Sequence, residues 1–256
     1  MRKKTNTKKQ TRALYVTISC LLLGGCSGLM TQQETLARWH PNDRLHQSLS
    51  TSELRRIAEA GSIEAKFDLA VRLMEGDRVT KDEKEAVRTI EKVAEYGDPR
   101  AQYLLASAYI SGRGKEKDET EGVNWLERSA QQGYFNSEYW YGYMLTRGRG
   151  VQAKNWREGL KWIRKAAQHG HGDAQATLGE AYENCRGGLH RDFDAAALWY
   201  RRAENMGGGS IMAGYNLRRL IDLGLVEWQE GDAGMAPIET VSLQSANFEN
   251  CDQEKE

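Results

Sequence analysis

Histidine and cysteine side chains are concentrated in one stretch of the chain, where they could bind a metal ion or supply a nucleophile and a base. His169 and His171 are followed by Cys185 and His190. Imidazole and thiolate are ligands that zinc prefers, but structural zinc sites are built from two closely spaced ligand pairs. Only His169 and His171 form such a pair, and nothing in the sequence places a base beside Cys185. We therefore expect no metal site, no cofactor and no catalytic residue, and the sequence predicts a protein that is not an enzyme.

A second kind of chemistry is suggested by the N-terminus, which has the composition of a processing signal. Residues 2–12 contain six basic side chains and no acidic one. The apolar segment 13–23 is about half of the roughly 20 residues that a membrane-spanning helix needs. It ends in Leu23-Gly24-Gly25-Cys26, which resembles a bacterial lipobox.

The lipobox resemblance implies that residues 1–25 are a signal peptide and that Cys26 is lipidated and becomes the first mature residue. Several acyl chains on Cys26 would anchor the protein stably, where one chain would be marginal. Ser27 rather than Asp follows the cysteine, which in Gram-negative lipoproteins implies transfer to the outer membrane, with the protein facing the periplasm. Residues 26–50 are polar and lack a helical period, so we expect them to be the lipidated cysteine and a flexible tether.

Two other cysteines, Cys185 and Cys251, remain once the signal peptide is removed. In an oxidising compartment they could form a disulfide that joins the C-terminal tail to the rest of the chain. Closing that loop would stabilise the fold by about 4 kcal/mol on chain-entropy arguments. Two free thiols, or pairing between molecules, is the alternative.

Net charge argues against one class of partner. The chain has 36 basic and 36 acidic residues, so loss of the six basic residues of the signal leaves a net charge of about −6. Nucleic-acid-binding proteins carry a basic surface, so we expect no nucleic-acid partner.

The elements that position these residues follow from an internal repeat of 36 or 37 residues. Each repeat carries a glycine, then a small residue four positions later, and its second half carries a tryptophan. The glycines are Gly61, Gly97, Gly133, Gly170 and Gly207; the small residues are Ala65, Ala101, Ser137 and Ala174; the tryptophans are Trp125, Trp162 and Trp199. A fixed period near 36 indicates a helical solenoid, in which each unit buries its apolar face against its neighbours.

Each repeat is predicted to form two helices. In the second unit, Asp98 and Pro99 are typical of a helix start, and Gly112 is typical of its end. A second helix is predicted to begin near Asp118 and to end before Gly133. By the same reasoning, residues 51–224 form the solenoid, with about four full repeats and a half-repeat at each end. Residues 225–256 carry eight acidic residues and one lysine without a helical period, and we expect an acidic tail.

The third and fourth repeats carry motifs of a known family. The matching residues are Ser137, Tyr141-Gly142, Gly148-Arg149-Gly150-Val151, Trp162, Lys165-Ala166-Ala167 and Gly170, followed by Ala174, Leu178-Gly179, Tyr182, Asp192, Trp199-Tyr200 and Ala203. This pattern resembles the Sel1-like repeat family. The resemblance implies an all-α fold, an α/α superhelical solenoid of TPR-like helix-turn-helix repeats. It also implies a role in protein–protein interaction, since Sel1-like lipoproteins and secreted relatives occur in polysaccharide-export, motor and envelope assemblies.

The first helix of each repeat should line the concave side of such a solenoid. We expect the residues three and seven positions after each small residue to point into it. In the second and third units this predicts an exposed apolar and aromatic surface that includes Leu104, Trp140, Met144 and Arg147. Aromatic and arginine side chains dominate the energetics of protein interfaces, so we expect these four residues to bind a partner. Burial of Trp140 as packing, in a slightly rotated helix, is the alternative.

Basic residues also recur in the turns between the two helices of a repeat. They are Arg113, Lys115, Lys117, Arg147, Arg149, Arg186 and Arg191. A basic stripe could bind an anionic polysaccharide, although acidic residues lie between the basic ones. The sequence thus predicts a lipid-anchored periplasmic scaffold or adaptor that binds an envelope protein. The alternative is a protein that binds the cell wall or an anionic polysaccharide and possibly hydrolyses it.

Overall fold

The computed structural model describes residues 48–205, 211–227 and 229, and these residues are almost entirely helical. The described α-helices are α1 Thr51–Glu59, α2 Ile63–Glu75, α3 Glu83–Glu95, α4 Pro99–Ser111, α5 Glu119–Gln131, α6 Phe135–Arg147, α7 Trp156–Gln168, α8 Gly172–Glu183, α9 Phe193–Asn205 and α10 Ile211–Asp222. A short 3₁₀ turn, Arg186–Gly188, lies between α8 and α9. None of the described helices is both long and apolar enough to cross a membrane.

Each helix packs against the helices next to it in the chain, as expected for a solenoid. The pairs α2/α3, α4/α5, α6/α7 and α8/α9 are the first and second helices of four repeats. Helix α1 corresponds to a second helix at one end, and α10 to a first helix at the other. The fold class predicted from the repeat period is therefore confirmed.

The helix starts follow the capping residues of the sequence. The side chain of Asp98 accepts hydrogen bonds from the backbone N–H groups of Arg100 and Ala101, and Pro99 occupies the first turn. Asp82, Asp118 and Asn155 cap the second helices in the same way. Ser50 caps α1 and forms a reciprocal pair of hydrogen bonds with Glu53. These side chains satisfy N–H groups that have no partner inside the helix.

The turn inside each repeat depends on glycine for two reasons. Gly150 has φ 66°, and a Cβ atom placed there would lie 2.4 Å from the carbonyl oxygen of Glu119. A larger residue would therefore be strained and would also collide with the start of the preceding second helix. Two turns depart from the glycine pattern: Arg78 and Cys185 adopt left-handed backbone angles, with φ 57° and 58°.

The small residues that define the period are the buried anchors of the stack. Ala65, Ala101, Ser137 and Ala174 are all 0% exposed. The hydroxyl of Ser137 donates a hydrogen bond of 2.7 Å to Ser129 Oγ. Ser129 in turn donates one of 2.7 Å to the carbonyl of Pro99. A serine is therefore tolerated at an anchor position because its polar atom is paired.

The recurring tryptophans lie half-buried on the second helices, each with a cation three residues later. The guanidinium of Arg128 lies 4.5 Å from the Trp125 ring centroid, and the ammonium of Lys165 lies 4.0 Å from that of Trp162. Trp125 packs against the apolar clusters of two successive units. It therefore fills space between successive units.

At the C-terminal end, the apolar cluster of the last repeats extends just beyond α10. Val226 is 8% exposed and packs with Leu217 and Leu220. Residue 228 and residues 230–256 of the predicted acidic tail lie outside the described residues.

Candidate functional site

The structure separates the four residues that the sequence predicted as a binding surface. Trp140 on α6 is 40% exposed, Arg147 at the end of α6 is exposed, and Leu104 on α4 is half-buried. Met144 is 1% exposed and packs against Val123 and Leu126. The prediction that Met144 lies on the exposed surface is therefore wrong.

The error in the position of Met144 has a geometric cause. Seven residues of α-helix fall about 20° short of two full turns, so a residue seven positions after a buried anchor lies on nearly the same side of the helix. Met144 follows the anchor Ser137 by seven residues, and both are buried. The exposed positions of α6 are those three and ten residues after the anchor, Trp140 and Arg147.

The exposed side of α6 carries an aromatic patch, which we define as Tyr139, Trp140, Tyr143 and Arg147. The ring centroids of Trp140 and Tyr143 are 5.6 Å apart, in an edge-to-face arrangement. Those of Tyr139 and Trp140 are 5.5 Å apart. The Arg147 guanidinium lies 5.2 Å from the Tyr143 ring centroid. The four side chains thus support one another through aromatic and cation–π contacts.

The exposed indole of Trp140 lies near a side chain of a neighbouring repeat. It acts on the hydroxyl of Tyr103 on α4, where it opposes the rise in pKa that burial causes. The Tyr103 ring itself packs edge-on against Tyr134, with centroids 5.5 Å apart. Burial raises the pKa of Tyr103, so the hydroxyl stays neutral. Trp140 therefore has aromatic neighbours on both α4 and α6 while its ring stays accessible.

On its other side, the aromatic patch packs against the fourth repeat through Tyr139. The ring of Tyr139 stacks on the imidazole of His171 at 4.5 Å. His171 is the N-cap of α8, since its Nδ1 accepts a hydrogen bond from the backbone N–H of Ala174 at 3.3 Å. Burial lowers the pKa of His171, so the ring is a neutral acceptor near pH 7. The imidazole that could have been a metal ligand is thus used to cap a helix and to support the patch.

A pocket of about 200 Å³ lies between α2 and α4, one repeat before the aromatic patch. Its apolar wall is formed by Val71, Met74, Leu104 and Ala108. Polar residues complete the lining: Glu75, Glu83, Ser107, Ser111 and Arg113. Leu104, predicted as part of the binding surface, therefore lines a concavity on the repeat before that of Trp140.

Four of the seven basic residues of the predicted stripe, two arginines and two lysines, pair with carboxylates within the protein. Arg113 pairs with Glu83 at 2.8 Å, and Arg149 pairs with Glu119 at 2.6 Å. Each pair joins a turn to the first residue of the preceding second helix. Hydrogen bonds from Arg149 and Lys117 lower the pKa of Glu119 to about 2. The stripe therefore presents less positive charge to a polyanion than the sequence indicates.

The fourth repeat breaks this pairing pattern. Trp156 stands where Glu83 and Glu119 stand in the earlier units, and the guanidinium of Arg186 lies 4.8 Å from its ring centroid. Arg186 and Arg147 both act on the carboxyl of Glu180 from nearby. Burial raises the pKa of Glu180, and the two arginines oppose that shift.

The candidate metal ligands of the sequence have separate structural roles. The Nδ1 atom of His169 lies 2.7 Å from a carboxylate oxygen of Glu138, a residue that is 2% exposed. Cys185 lies in the turn after α8, and His190 is exposed. In the ranges that the structure describes, no three His, Cys, Asp or Glu side chains are grouped as metal ligands. The Glu138–His169 pair was not foreseen from sequence, although Gln102 and Gln132 pair at the equivalent positions of the second unit, at 2.8 Å.

Two sequence predictions concern residues outside the described ranges. Cys26, the predicted lipidation site, precedes residue 48, and Cys251 follows residue 229. Lipidation of Cys26 and a disulfide between Cys185 and Cys251 therefore stay predictions.

Comparison with known proteins agrees with the repeat architecture. The Sel1 repeat model matches residues 63–88, 99–134, 136–171 and 172–208, which is just over half of the chain. Proteins with these repeats generally mediate protein–protein interaction, and the family consists mainly of non-enzymatic scaffolds. A search of curated proteins found no significant match.

Two solved structures are similar in both sequence and fold. One is a protective antigen of uropathogenic Escherichia coli that displays an SLR fold: 29% identity over 69% of this chain, with a TM-score of 0.65. This chain spans only 37% of that antigen. The other is a Sel1 repeat protein from Oxalobacter formigenes: 27% identity, 68% of this chain and 76% of the other, with a TM-score of 0.60. The four matched repeats and the helical solenoid lead to one assignment: the chain belongs to the Sel1 repeat family.

Proposed function

We propose that this protein is a lipid-anchored scaffold or adaptor that binds a partner protein in a cell-envelope complex through its aromatic patch. The observation that carries the proposal is Trp140. The residue is 40% exposed, yet Tyr139 and Tyr143 pack edge-on against its ring. A pre-oriented aromatic side chain loses little conformational entropy on binding, and such residues carry much of the energy of protein interfaces.

The proposed location rests on the N-terminal sequence. The segment ending in Cys26 is supported as a lipidation signal by its basic start, its short apolar run and the small residues before the cysteine. A lipid anchor would confine the solenoid to a membrane surface and raise its effective concentration towards an envelope complex. Replacement of Cys26 by serine should release the protein from the membrane fraction and remove the acyl mass from its mature N-terminus.

Binding of an anionic polysaccharide is the less favoured alternative. The arginines that would bind it in the second and third units, Arg113 and Arg149, already pair with glutamates. A polyanion would have to compete with these intramolecular carboxylates, so the turns of the second and third units offer Arg113 and Arg149 to it only at the cost of these pairs. Pull-down with purified peptidoglycan at low salt tests this alternative directly.

The partner-binding proposal is tested by photo-crosslinking in cells from position 140. A photoreactive amino acid at position 140 should give a discrete protein adduct that mass spectrometry can identify. The matched control is position 198, because Leu198 is also strongly exposed, at 49%, but lies on the second helix α9. An adduct from position 198 and none from position 140 would move the binding surface to the second helices and contradict the proposal.

A further inference from the structure

The pocket between α2 and α4 coincides with a difference between two repeats. At the position six residues after the anchor, the third unit has Tyr143 and the second unit has Ser107. Four positions later the third unit has Arg147 and the second has Ser111. The two serines are exposed and small, and both line the pocket. The pocket thus lies where the second unit carries small side chains in place of tyrosine and arginine.

The size and lining of the pocket suit one apolar side chain. Its volume of about 200 Å³ is below the roughly 300–1,000 Å³ of typical small-molecule sites. Val71, Met74 and Leu104 form an apolar wall, and Glu83 is held at the rim by Arg113. Burying a leucine- or phenylalanine-sized side chain in such a pocket should strengthen binding at least about tenfold. Glu75 also lines the pocket, and its negative charge disfavours a carboxylate of the partner next to the bound apolar side chain.

We call the surface formed by the first helices of the repeats the first-helix face. At the end away from the pocket, this face has an excess of positive charge. Among the described residues, neither Arg147 nor Arg186 has a carboxylate oxygen within 4.0 Å. Glu180 is the acidic group that both arginines act on, and its Oε1 accepts a hydrogen bond of 3.5 Å from Asn216. Two guanidinium groups therefore share one half-buried carboxyl group. Guanidinium groups bind carboxylates through charge-assisted hydrogen bonds, so this end of the face suits an acidic side chain.

The spacing between the two ends can be derived from the repeat. The pocket lies between α2 and α4, and the two arginines lie at the C-terminal ends of α6 and α8. Taking the about 8–10 Å between packed helices as the step from one first helix to the next, two steps separate the pocket and the arginines by about 20 Å. An extended chain covers about 3.3 Å per residue, so about six residues span this distance.

We propose that the first-helix face binds an extended segment of a partner protein, with one apolar side chain in the pocket and an acidic side chain about six residues away at Arg147 and Arg186. This inference rests on the partner-binding role proposed above and specifies its chemistry. The backbone between the two side chains passes over Trp140. The partner is recognised by the spacing of these two groups.

The repeat itself supplies matched variants for testing each end. Ser107→Tyr places in the second unit the residue that the third unit carries at the same position, and it fills the pocket. Arg147→Ser makes the reverse exchange with Ser111 and removes one guanidinium. Both positions are exposed, and unchanged helical circular dichroism and thermal unfolding would show that each variant is folded.

The experiment selects random peptides of about twelve residues, displayed on phage, against the purified chain without its signal peptide. Enriched peptides should combine a large apolar residue with Asp or Glu about six positions away, consistent with the span of the face. For one enriched peptide, alanine in place of the apolar residue should weaken binding at least about tenfold to the wild-type protein. That loss should largely disappear with Ser107→Tyr, and the loss caused by neutralising the acid should disappear with Arg147→Ser.

Each other outcome overturns the inference. Enrichment without this spacing, or peptide effects that neither variant alters, would mean that the pocket and the arginines do not act together. Binding of a synthetic peptide of residues 236–256 with the same dependence on both variants would assign the face to the chain's own tail. Self-association abolished by Ser107→Tyr would assign it to a second copy. A crosslink from position 140 that persists without any of these peptide effects would retain the proposed function and reject only this inference.

Discussion

The Glu138–His169 pair makes the stability of this solenoid dependent on pH in a defined direction. The carboxylate of Glu138 is 2% exposed, and it lies 2.7 Å from His169 Nδ1. This hydrogen bond is the main factor that raises the pKa of His169 above 6.5, with burial and the charge of Lys165 acting the other way. The perturbation we consider is His169→Gln, because Gln132 already occupies the equivalent position of the second unit and pairs with Gln102.

The sign of the effect follows from the raised pKa. The protonated imidazole is stabilised in the folded state, so its contribution is fully present below pH 6.5 and is lost as pH rises through the folded-state pKa. Glutamine keeps an N–H donor but carries no charge, so the variant lacks only the ionic part of the interaction. A hydrogen bond to a charged group contributes about 1.5–3 kcal/mol. Because the His169 side chain is 30% exposed, solvent screening reduces the expected difference to about 1 kcal/mol near pH 6.

Urea unfolding, followed by circular dichroism at several values from about pH 6 to about pH 9, measures this difference. The wild-type protein should be more stable than His169→Gln at the acidic end, and the two curves should converge at the alkaline end. His190→Gln is the control, because His190 is exposed, and it should leave the pH dependence of the wild type unchanged. A difference that is constant or grows with pH would refute the assignment of an ionic role to the pair.

Three further predictions test the turns and the tail. Gly150→Ala should lower the free energy of unfolding by at least about 3 kcal/mol, because strain at positive φ adds to a clash with Glu119. Gly133→Ala, with nothing within 4 Å of the new Cβ, should lower it by only about 1–2 kcal/mol. Equal losses in urea unfolding would contradict the close approach at Gly150. Arg149→Ala should lower the free energy of unfolding by less than about 1 kcal/mol, because the arginine side chain is 47% exposed. A loss above about 2 kcal/mol would contradict this and show that the Arg149–Glu119 pair is essential for the fold. Peptide mapping without reduction should find Cys185 linked to Cys251 in the exported protein; recovery of both as free thiols would exclude the predicted disulfide.

The sequence alone was sufficient to predict the fold because the signals that define it are local and repeated. The period placed the buried anchors Ala65, Ala101, Ser137 and Ala174 correctly, and all four are 0% exposed. Helix starts at Asp98 and Asp118 were predictable because a capping side chain acts on N–H groups two or three residues away. Glycine turns were predictable because positive φ restricts the residue type.

Part of the candidate site was predictable in the same way. Trp140 is exposed as expected, since its position follows from its distance to the anchor along one helix, and Arg147, which was expected beside it, is exposed as well. Met144 was misplaced because a position seven residues from a buried anchor returns to the buried side. The exposed side of a helix is therefore predictable only when the angle per residue is applied to every position.

Contacts between units were decided only by the tertiary structure. The pairs Arg113–Glu83 and Arg149–Glu119 each join residues that are 30 positions apart, and the pocket at Ser107 depends on the gap between α2 and α4. Such contacts depend on the offset and rotation between successive repeats, which arise from packing many side chains together rather than from any local signal. The repeat sequence by itself thus determined the helices and their buried anchors, whereas the packing of one repeat on the next decided which polar groups pair and where the surface stays open.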